Sequence, residues 1–316
     1  MKRALVLGGS VFVGRAVARK FLSMGYEVYV LNRGNHENIE GTIPLIADRN
    51  KRSEMTQVCK GEHFDVVFDG SAYTPLQTKN AIESINKDIT HYIHISSASV
   101  YLDEHSYPYR ENSKRGSCPV WGDYSTNKYL CEELLLRAHK ENGFPVTILR
   151  PFYLYGIENN LDRESYVFKR LLTNQTLIVP GLGLPLVQFG YIEDLCSAIE
   201  IICQSEVSCG KAYNISGDEY VSFTGWIETC AKVLNVEPKI KLVDPNAYGL
   251  NAREWFPFRD VTMIGDCSLI REELGVRPAY TLEEGLKEIA EAIDLEELIK
   301  DFEISEKEKE ILNFFD

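Results

Sequence analysis

Short apolar runs and amphipathic stretches alternate through the first half of the chain. Ala4-Leu5-Val6-Leu7 is apolar throughout and ends at Gly8. Val13, Val17, Phe21 and Met24 then recur at helical spacing until Gly25 stops the helix. Glu27–Leu31 reads as the next strand, Thr42–Ile46 as a third, Asp65–Phe68 as a fourth and Tyr92–Ile95 as a fifth. Val146–Leu149 is a sixth, after a helix near Tyr124–Lys140. Strands alternating with helices predict a parallel sheet covered on both faces, and right-handed crossovers make it a doubly wound α/β fold. The rhythm changes after Arg150-Pro151. Residues 157–185 mix Asn, Gly and Pro with a short helix around Tyr166–Leu172, Lys211–Ile215 reads as a strand returning to the sheet, and the chain beyond Ser222 is mainly helical. The expected division is a doubly wound domain from 1–156 plus about 186–219, and a smaller, mainly helical C-terminal lobe from about 157–185 plus 220–316.

The 316 residues suffice for two such domains, and 44% hydrophobic with 26% charged residues excludes a disordered or collagen-like chain. The net charge of −13, of which −7 falls within Glu291–Asp316, repels phosphate backbones and anionic lipid, so neither nucleic acid nor membrane is an expected partner. No apolar stretch reaches the roughly 18 residues of a membrane span. The eight cysteines form no Cys-x-x-Cys pair and lie mostly in apolar stretches. They read as buried free thiols in a reducing cytoplasm rather than as a disulfide framework. With the six histidines dispersed, no metal site is expected.

Gly8-Gly9-Ser10-Val11-Phe12-Val13-Gly14 links the first strand to the first helix. Gly8 and Gly14 have the outer spacing of a dinucleotide-binding turn, with Val11 in place of the middle glycine. The helix N-terminus would offer free N–H groups and a positive end to a diphosphate; the plainer alternative is a tight turn that binds nothing. Asn32 stands 24 residues after Gly8, where an acid would hold a ribose 2′-hydroxyl, and Arg33 follows it. A carboxylate repels a 2′-phosphate and a guanidinium pairs with it, so the pattern favours NADP(H), with NAD(H) second. Arg15 is another candidate for that contact, and both arginines could equally be solvated charges. Asp48 could accept a hydrogen bond from an adenine amino group, or cap a helix.

Tyr124 and Lys128 are four apart, on one face of the predicted helix, and Ser97 follows the fifth strand 27 residues before Tyr124. Ligands of such sheets bind at the carboxyl ends of the strands, where the three can meet. A phenol of pKa about 10 is a poor base at neutral pH, and a nearby ammonium lowers that value. Lys128 could also hold ribose hydroxyls, and Ser97 could orient a substrate oxygen. Together they would move a proton while a nicotinamide moves a hydride. A Tyr-x-x-x-Lys alone is often a surface pair; behind a glycine turn and a strand-end serine it is specific.

The motifs then align with a known family. In order, Gly8–Gly14, Ser97-Ala98-Ser99-Val100-Tyr101, Tyr124–Lys128, Leu149-Arg150-Pro151, Gly156, Tyr191-Ile192-Glu193-Asp194, Tyr213-Asn214-Ile215 and Leu274-Gly275-Val276-Arg277-Pro278 resemble an extended short-chain dehydrogenase/reductase of the NAD(P)-dependent epimerase/dehydratase family. The resemblance covers about 1–290. It implies a Rossmann domain, Ser97, Tyr124 and Lys128 as catalytic triad, and a C-terminal lobe for a nucleotide-sugar. Cofactor contacts would come from Gly8, Ser10, Val11, Phe12, Val13 and Gly14, then from Asn32, Arg33, Asp48, Arg49, Ser71 and Ala72. Tyr124, Lys128, Pro151 and Phe152 would complete them, Phe152 under the carboxamide. Family members often dimerise through the helix bearing Tyr124, where Leu130, Leu134 and Leu135 make an apolar stripe that is otherwise core. Three departures stand out: Val11, Asp69-Gly70-Ser71-Ala72 where the family usually has His-Leu-Ala-Ala, and Leu102 after Tyr101. The turn with Asn32-Arg33-Gly34 and Asp48-Arg49 resembles the branch of chloroplast stem-loop-binding proteins and their bacterial relatives, some of them associated with RNA.

The family's dehydratases carry Asp-Glu after the Ser/Thr; here Ala98 and Ser99 cannot act as acid and base, which disfavours 4,6-dehydration. Related decarboxylases want a glutamate in the same stretch. Epimerisation or simple oxidoreduction of a secondary alcohol remains. Arg259, after Trp255-Phe256-Pro257-Phe258, could grip a substrate pyrophosphate or be a surface arginine beside core aromatics. Gln188 and Tyr191 are candidate sugar contacts. His94 reads as a core histidine and Asp194 as a helix cap. Two other functions use the same fold: an RNA-associated protein, and a non-catalytic NADP(H)-binding redox sensor.

Overall fold

The computed structural model describes residues 1–246 and 249–315. The chain divides into two compact units, one of Met1–Phe152, Ile192–Ser216 and Gly265–Arg277, the other of Tyr153–Tyr191, Gly217–Ile264 and Pro278–Asp316.

In the first unit, β1 (Arg3–Leu7), β2 (Glu27–Asn32), β3 (Thr42–Ile46), β4 (Val66–Asp69), β5 (His91–Ile95), β6 (Val146–Pro151) and β10 (Lys211–Ile215) form one sheet. Its order is β10-β6-β5-β4-β1-β2-β3, with every neighbouring pair parallel. This is the expected doubly wound Rossmann sheet. The central strands are legible as apolar runs because both faces are covered: Ala4, Leu5, Val6 and Leu7 are all 0% exposed. Edge strand β3 keeps Ile43 and Ile46 exposed and tolerates Pro44, whose missing N–H costs no ladder bond on an open edge. Leu5, Leu7, Val67, Tyr92 and Ile148 make one core with Met55, Cys59, Ala81 and Leu135, from α2 (Arg52–Cys59), α3 (Pro75–Ser84) and α4 (Asp123–Asn142). Elsewhere in the unit α1 (Phe12–Ser23) packs against α6 (Ile192–Ile202), and α8 (Ser268–Leu274) against β10.

A buried ionic knot ties α4 to the sheet. Arg150 of β6 and Glu132 of α4 are 1% and 0% exposed. Arg150 Nε and Nη2 donate to the two Glu132 carboxylate oxygens at 2.9 and 2.8 Å, and Arg115 Nη1 adds a bond of 2.5 Å. Arg150 Nη1 also donates to the Tyr101 hydroxyl, whose own proton goes to Asn214 Oδ1 of β10. Burial pushes the Glu132 carboxyl up, but the adjacent Arg150 outweighs it and holds the group below its ordinary value.

The second unit contains β7 (Tyr153–Tyr155), β8 (Thr176–Pro180), β9 (Leu186–Tyr191), β11 (Tyr220–Ser222) and β12 (Lys239–Val243). They form a three-stranded sheet, β11-β9-β7, and a parallel pair, β12-β8. These strands are short and lack a clear alternation, so the sequence pattern does not reveal them. The unit's helices are α5 (Glu164–Leu172), α7 (Phe223–Leu234), α9 (Leu282–Ala292), α10 (Leu295–Ile299) and α11 (Glu306–Phe315). Its core is aromatic: Phe223, Trp226, Phe256 and Phe258 pack at centroid distances of 5.0–5.9 Å. All eight cysteines are free thiols, seven buried and Cys209 half-buried.

Arg150→Met strips the Glu132 carboxylate of its bidentate partner. It is expected to cost about 3–5 kcal/mol in urea unfolding, while Arg150→Met with Glu132→Leu recovers most of the loss. Because the folded Glu132 value is lowered, its contribution is present above the unfolded carboxyl range near pKa ~4.3 and fades as pH falls through the lower folded value. The acid sensitivity of the double variant is correspondingly smaller.

Candidate active site

Strand order reverses direction beside β1: the chain lays β2 and β3 on one side and then crosses to β4 on the other. The crevice outside the carboxyl ends of β1 and β4 is therefore the topological switch point. The glycine turn lies there. Gly8 has φ +86°, and its N–H donates to the Leu31 carbonyl (3.1 Å). A methyl at Gly14 would land on the Gly8 carbonyl oxygen, so this pair closes the turn onto α1. Val11 is the N-cap, with extended backbone (φ −137°, ψ 153°) open to any residue, and it is 40% exposed. The middle glycine is thus dispensable for backbone geometry. Phe12 sits at φ +33°, a strained conformation of the kind found at functional turns, with its side chain buried.

The turn suits an anionic group. The first-turn N–H groups of α1 have no intrahelical acceptor, and no acidic residue stands in that turn. The Ser10 hydroxyl is buried without a hydrogen-bond partner, and Arg15 Nε donates to the Ser10 carbonyl (3.3 Å). At the end of β2, Asn32 Oδ1 accepts from the Gly34 N–H (2.7 Å), and Arg33 is exposed. Asp48 accepts from the backbone and side chain of Asn50, bonds that lower its pKa. It caps no helix, because the N-cap of α2 is Lys51.

Arg49, expected against the cofactor, is buried at the end of β4. Its guanidinium makes two bonds to Asp69, Nη1 to Oδ1 at 2.7 Å and Nη2 to Oδ2 at 2.9 Å, and reaches the Ser71 hydroxyl at 2.6 Å. Asp69 also accepts the Tyr92 hydroxyl (2.7 Å). Burial pushes Asp69 up, but the Arg49 guanidinium holds it far below the carboxylate range. Ser71 hands its proton to the Leu7 carbonyl (3.2 Å) and lies against Gly8. The pair thus braces the end of β4 against the end of β1. Ala72 is fully buried. Pro151 ends β6 opposite Ile215, and the Phe152 ring fills the space a side chain at Gly265 would take.

Ser97 follows β5 and caps the short turn Ala98–Val100, its Oγ accepting the Ser99 N–H (3.1 Å). Tyr124, in the first turn of α4, is 40% exposed, whereas Lys128, one turn on, is 2% exposed. Lys128 Nζ donates to the Ile95 carbonyl (2.8 Å), two residues before Ser97. One ammonium thus ties the helix of Tyr124 to the strand end that carries Ser97. Ser125 anchors the entry to α4 by bonding Cys118 and the Gly122 carbonyl. His94 is a core residue, fully buried; burial, with Lys128 next, pushes it down to about 4, so it is neutral at pH 7. The leucine stripe of α4 splits: Leu135 is core, Leu130 is 41% exposed.

In the second unit, the expected sugar contacts Gln188 and Tyr191 are both buried. Gln188 is buried and donates to the Gly217 carbonyl (2.7 Å). Tyr191 is buried, donates to Glu288 (3.0 Å) and packs on Tyr155 and Tyr280. Arg259 is half-buried and belongs to a cluster: Arg163, Arg259 and Arg253 all act on Tyr153, whose hydroxyl is buried without a hydrogen bond. Arg163 stacks 5.0 Å from the Tyr153 ring centroid. Burial outweighs the three guanidiniums and pushes the phenol up to about 12.

The sequence pattern of the NAD dependent epimerase/dehydratase family matches residues 4–216. This chain belongs to that family. It is 29% identical over 302 residues to the chloroplast stem-loop binding protein of 41 kDa b of Arabidopsis thaliana, covering 90% of this chain and 77% of that protein. It is 26% identical to a UDP-N-acetyl-alpha-D-glucosaminuronate decarboxylase of Bacillus cytotoxicus, covering 91% of this chain and 96% of that one. The fold matches UDP-glucuronic acid 4-epimerase from Bacillus cereus, solved with UDP-glucuronic acid and NAD, at a TM-score of 0.76 and 20% identity over 94% of this chain and 99% of that one. Among the described residues no helix is long and apolar enough to cross a membrane.

Within the family frame, motif reading missed the residues that act through a distant partner. Asp69 is distinguished only by departing from the family's histidine, and Glu132 only by lying four residues beyond Lys128. Tyr73 and Tyr153 carry no local signal.

Gly14→Ala drives a methyl into the Gly8 carbonyl and is expected to cost about 1–3 kcal/mol, seen as a thermal midpoint several degrees lower. Val11→Gly, which restores the family's middle glycine, changes stability by less than about 1 kcal/mol because the site is extended and exposed.

Proposed function

We propose that the chain is an NAD(P)-dependent epimerase or oxidoreductase acting on a secondary alcohol of a nucleotide-sugar. The first unit holds the dinucleotide and the second supplies contacts to the sugar nucleotide. The observation that carries this reading is Lys128: an ammonium held inside the protein, one helical turn from an accessible phenol and bonded to the strand end leading to Ser97.

The glycine turn, the orphaned Ser10 hydroxyl and the free end of α1 fit a dinucleotide diphosphate. Arg33, with no acid at position 32, supports NADP(H) over NAD(H). A nicotinamide held there would supply the chemistry of hydride acceptance from, and return to, the carbinol carbon. Tyr124, its phenolate favoured by the Lys128 ammonium, takes the hydroxyl proton and gives it back on reduction. Ser97 orients the same oxygen. Lys128 keeps two N–H groups beyond its bond to Ile95 for ribose hydroxyls. Ala98 and Ser99 are buried and carry no carboxyl group, which argues against 4,6-dehydration. The guanidiniums beside Tyr153, Arg259 among them, suit the diphosphate of a nucleotide-sugar.

The stem-loop-binding relative motivates a second reading, RNA association. The net charge of −13 opposes it, and filter binding of a structured RNA at physiological salt tests it directly.

Mass spectrometry of ligands retained on the purified protein is expected to find NADP(H), and a nucleotide-sugar screen to find epimer or ketone formation. Tyr124→Phe is expected to lower that turnover by about 10²–10⁴-fold with cofactor binding intact. Unchanged turnover would exclude Tyr124 as the acid/base.

A further inference from the structure

Tyr73 stands outside the motifs that carry the proposed chemistry. It lies in the loop leaving β4, where its N–H donates to Gln77 Oε1 (2.8 Å) just before Thr74 caps α3. Its side chain is 55% exposed, yet its ring centroid is 5.2 Å from Lys128 Nζ. That ammonium is 2% exposed. Among the described residues its polar partners include one hydrogen-bond acceptor, the Ile95 carbonyl, and the face of this ring.

A buried ammonium with a single acceptor needs further compensation to stay charged. The groups around it supply little. Asp69 at the end of β4 is neutralised by Arg49 from the loop after β3, and the two act on Lys128 with opposite signs. His94 of β5 is neutral, and Cys131 is a buried thiol on the same helix. The negative ring face of an aromatic attracts a cation within about 6 Å, and more strongly where water is excluded. Burial pushes Lys128 down, and the Tyr73 ring stands 5.2 Å from its Nζ, within that range.

We propose that Tyr73 is a positioning residue whose ring caps the Lys128 ammonium and keeps it charged and in place at the Tyr124 helix. This rests on the proposed acid/base role of that helix, because only a charged lysine favours the phenolate. The ring is the working part; its hydroxyl is not required.

The test is a titration of Lys128 in the full chain without cofactor. The protein is labelled with ¹⁵N-lysine, the Lys128 Nζ resonance is assigned with Lys128→Met, and its midpoint is followed in wild type, Tyr73→Phe and Tyr73→Leu. Wild type and Tyr73→Phe are expected to share one midpoint. Tyr73→Leu is expected to titrate about half a pH unit to one unit lower. All three should unfold at closely similar temperatures, because the side chain is more than half exposed. An unshifted Tyr73→Leu, or a Tyr73→Phe shifted as far as Tyr73→Leu, would overturn the proposal. No nicotinamide or sugar enters this measurement, so a chain that bound neither would refute the proposed function separately.

Discussion

Taking a lysine ammonium out of water is costly, and this chain does so at Lys128 while giving it one carbonyl and one aromatic face. The bond to Ile95 is possible only where α4 lies close along the end of β5. That closeness is enforced a turn further along the helix, where Glu132 is clasped by Arg150 from β6 and by Arg115. Tyr124, Lys128 and Glu132 recur every fourth residue, so one helical face carries the accessible phenol, the buried ammonium and the buried carboxylate in succession. The position of Tyr124 is thereby set by the two charges below it.

A second ionic pair does similar work at the switch point. Arg49 and Asp69 neutralise each other inside the protein, and the spare guanidinium N–H holds Ser71 against the end of β1. The glycine turn rests on that support. The departure from the family's His-Leu-Ala-Ala is then coherent: Asp69 needs Arg49, and Ser71 needs both neighbours. Replacing the middle glycine by Val11 leaves the turn intact because the extended backbone there imposes no φ that a side chain forbids. The strain appears one residue later, at Phe12.

The second unit is organised around aromatic rings rather than long strands. Phe189, Phe223, Trp226, Phe256 and Phe258 fill its interior, and Tyr153 joins them by ring contacts to Phe189 and Phe258. The arginines beside Tyr153 are held by their own neighbours: Arg163 donates to the Leu154 carbonyl and Arg253 to that of Phe256.

The parallel sheet was readable from sequence because strands buried on both faces must be apolar runs, and the helices between them must be amphipathic. The glycine turn, Ser97 and the Tyr124–Lys128 pair were readable because each is a local spacing within one element or one connection. Short strands such as β7 and β11 were not, since three residues carry no period. Nor were the partners of polar side chains. Arg49 bonds Asp69, Gln188 bonds the Gly217 carbonyl and Tyr191 bonds Glu288, contacts that no local spacing announces. Tyr73 became relevant only when its loop was found over Lys128, 55 positions along the chain. Local periodicity and turn chemistry are properties of neighbouring residues, so the chain's order alone determined them. Which buried charge meets which partner depends on distances between remote segments, and only the folded chain decides those.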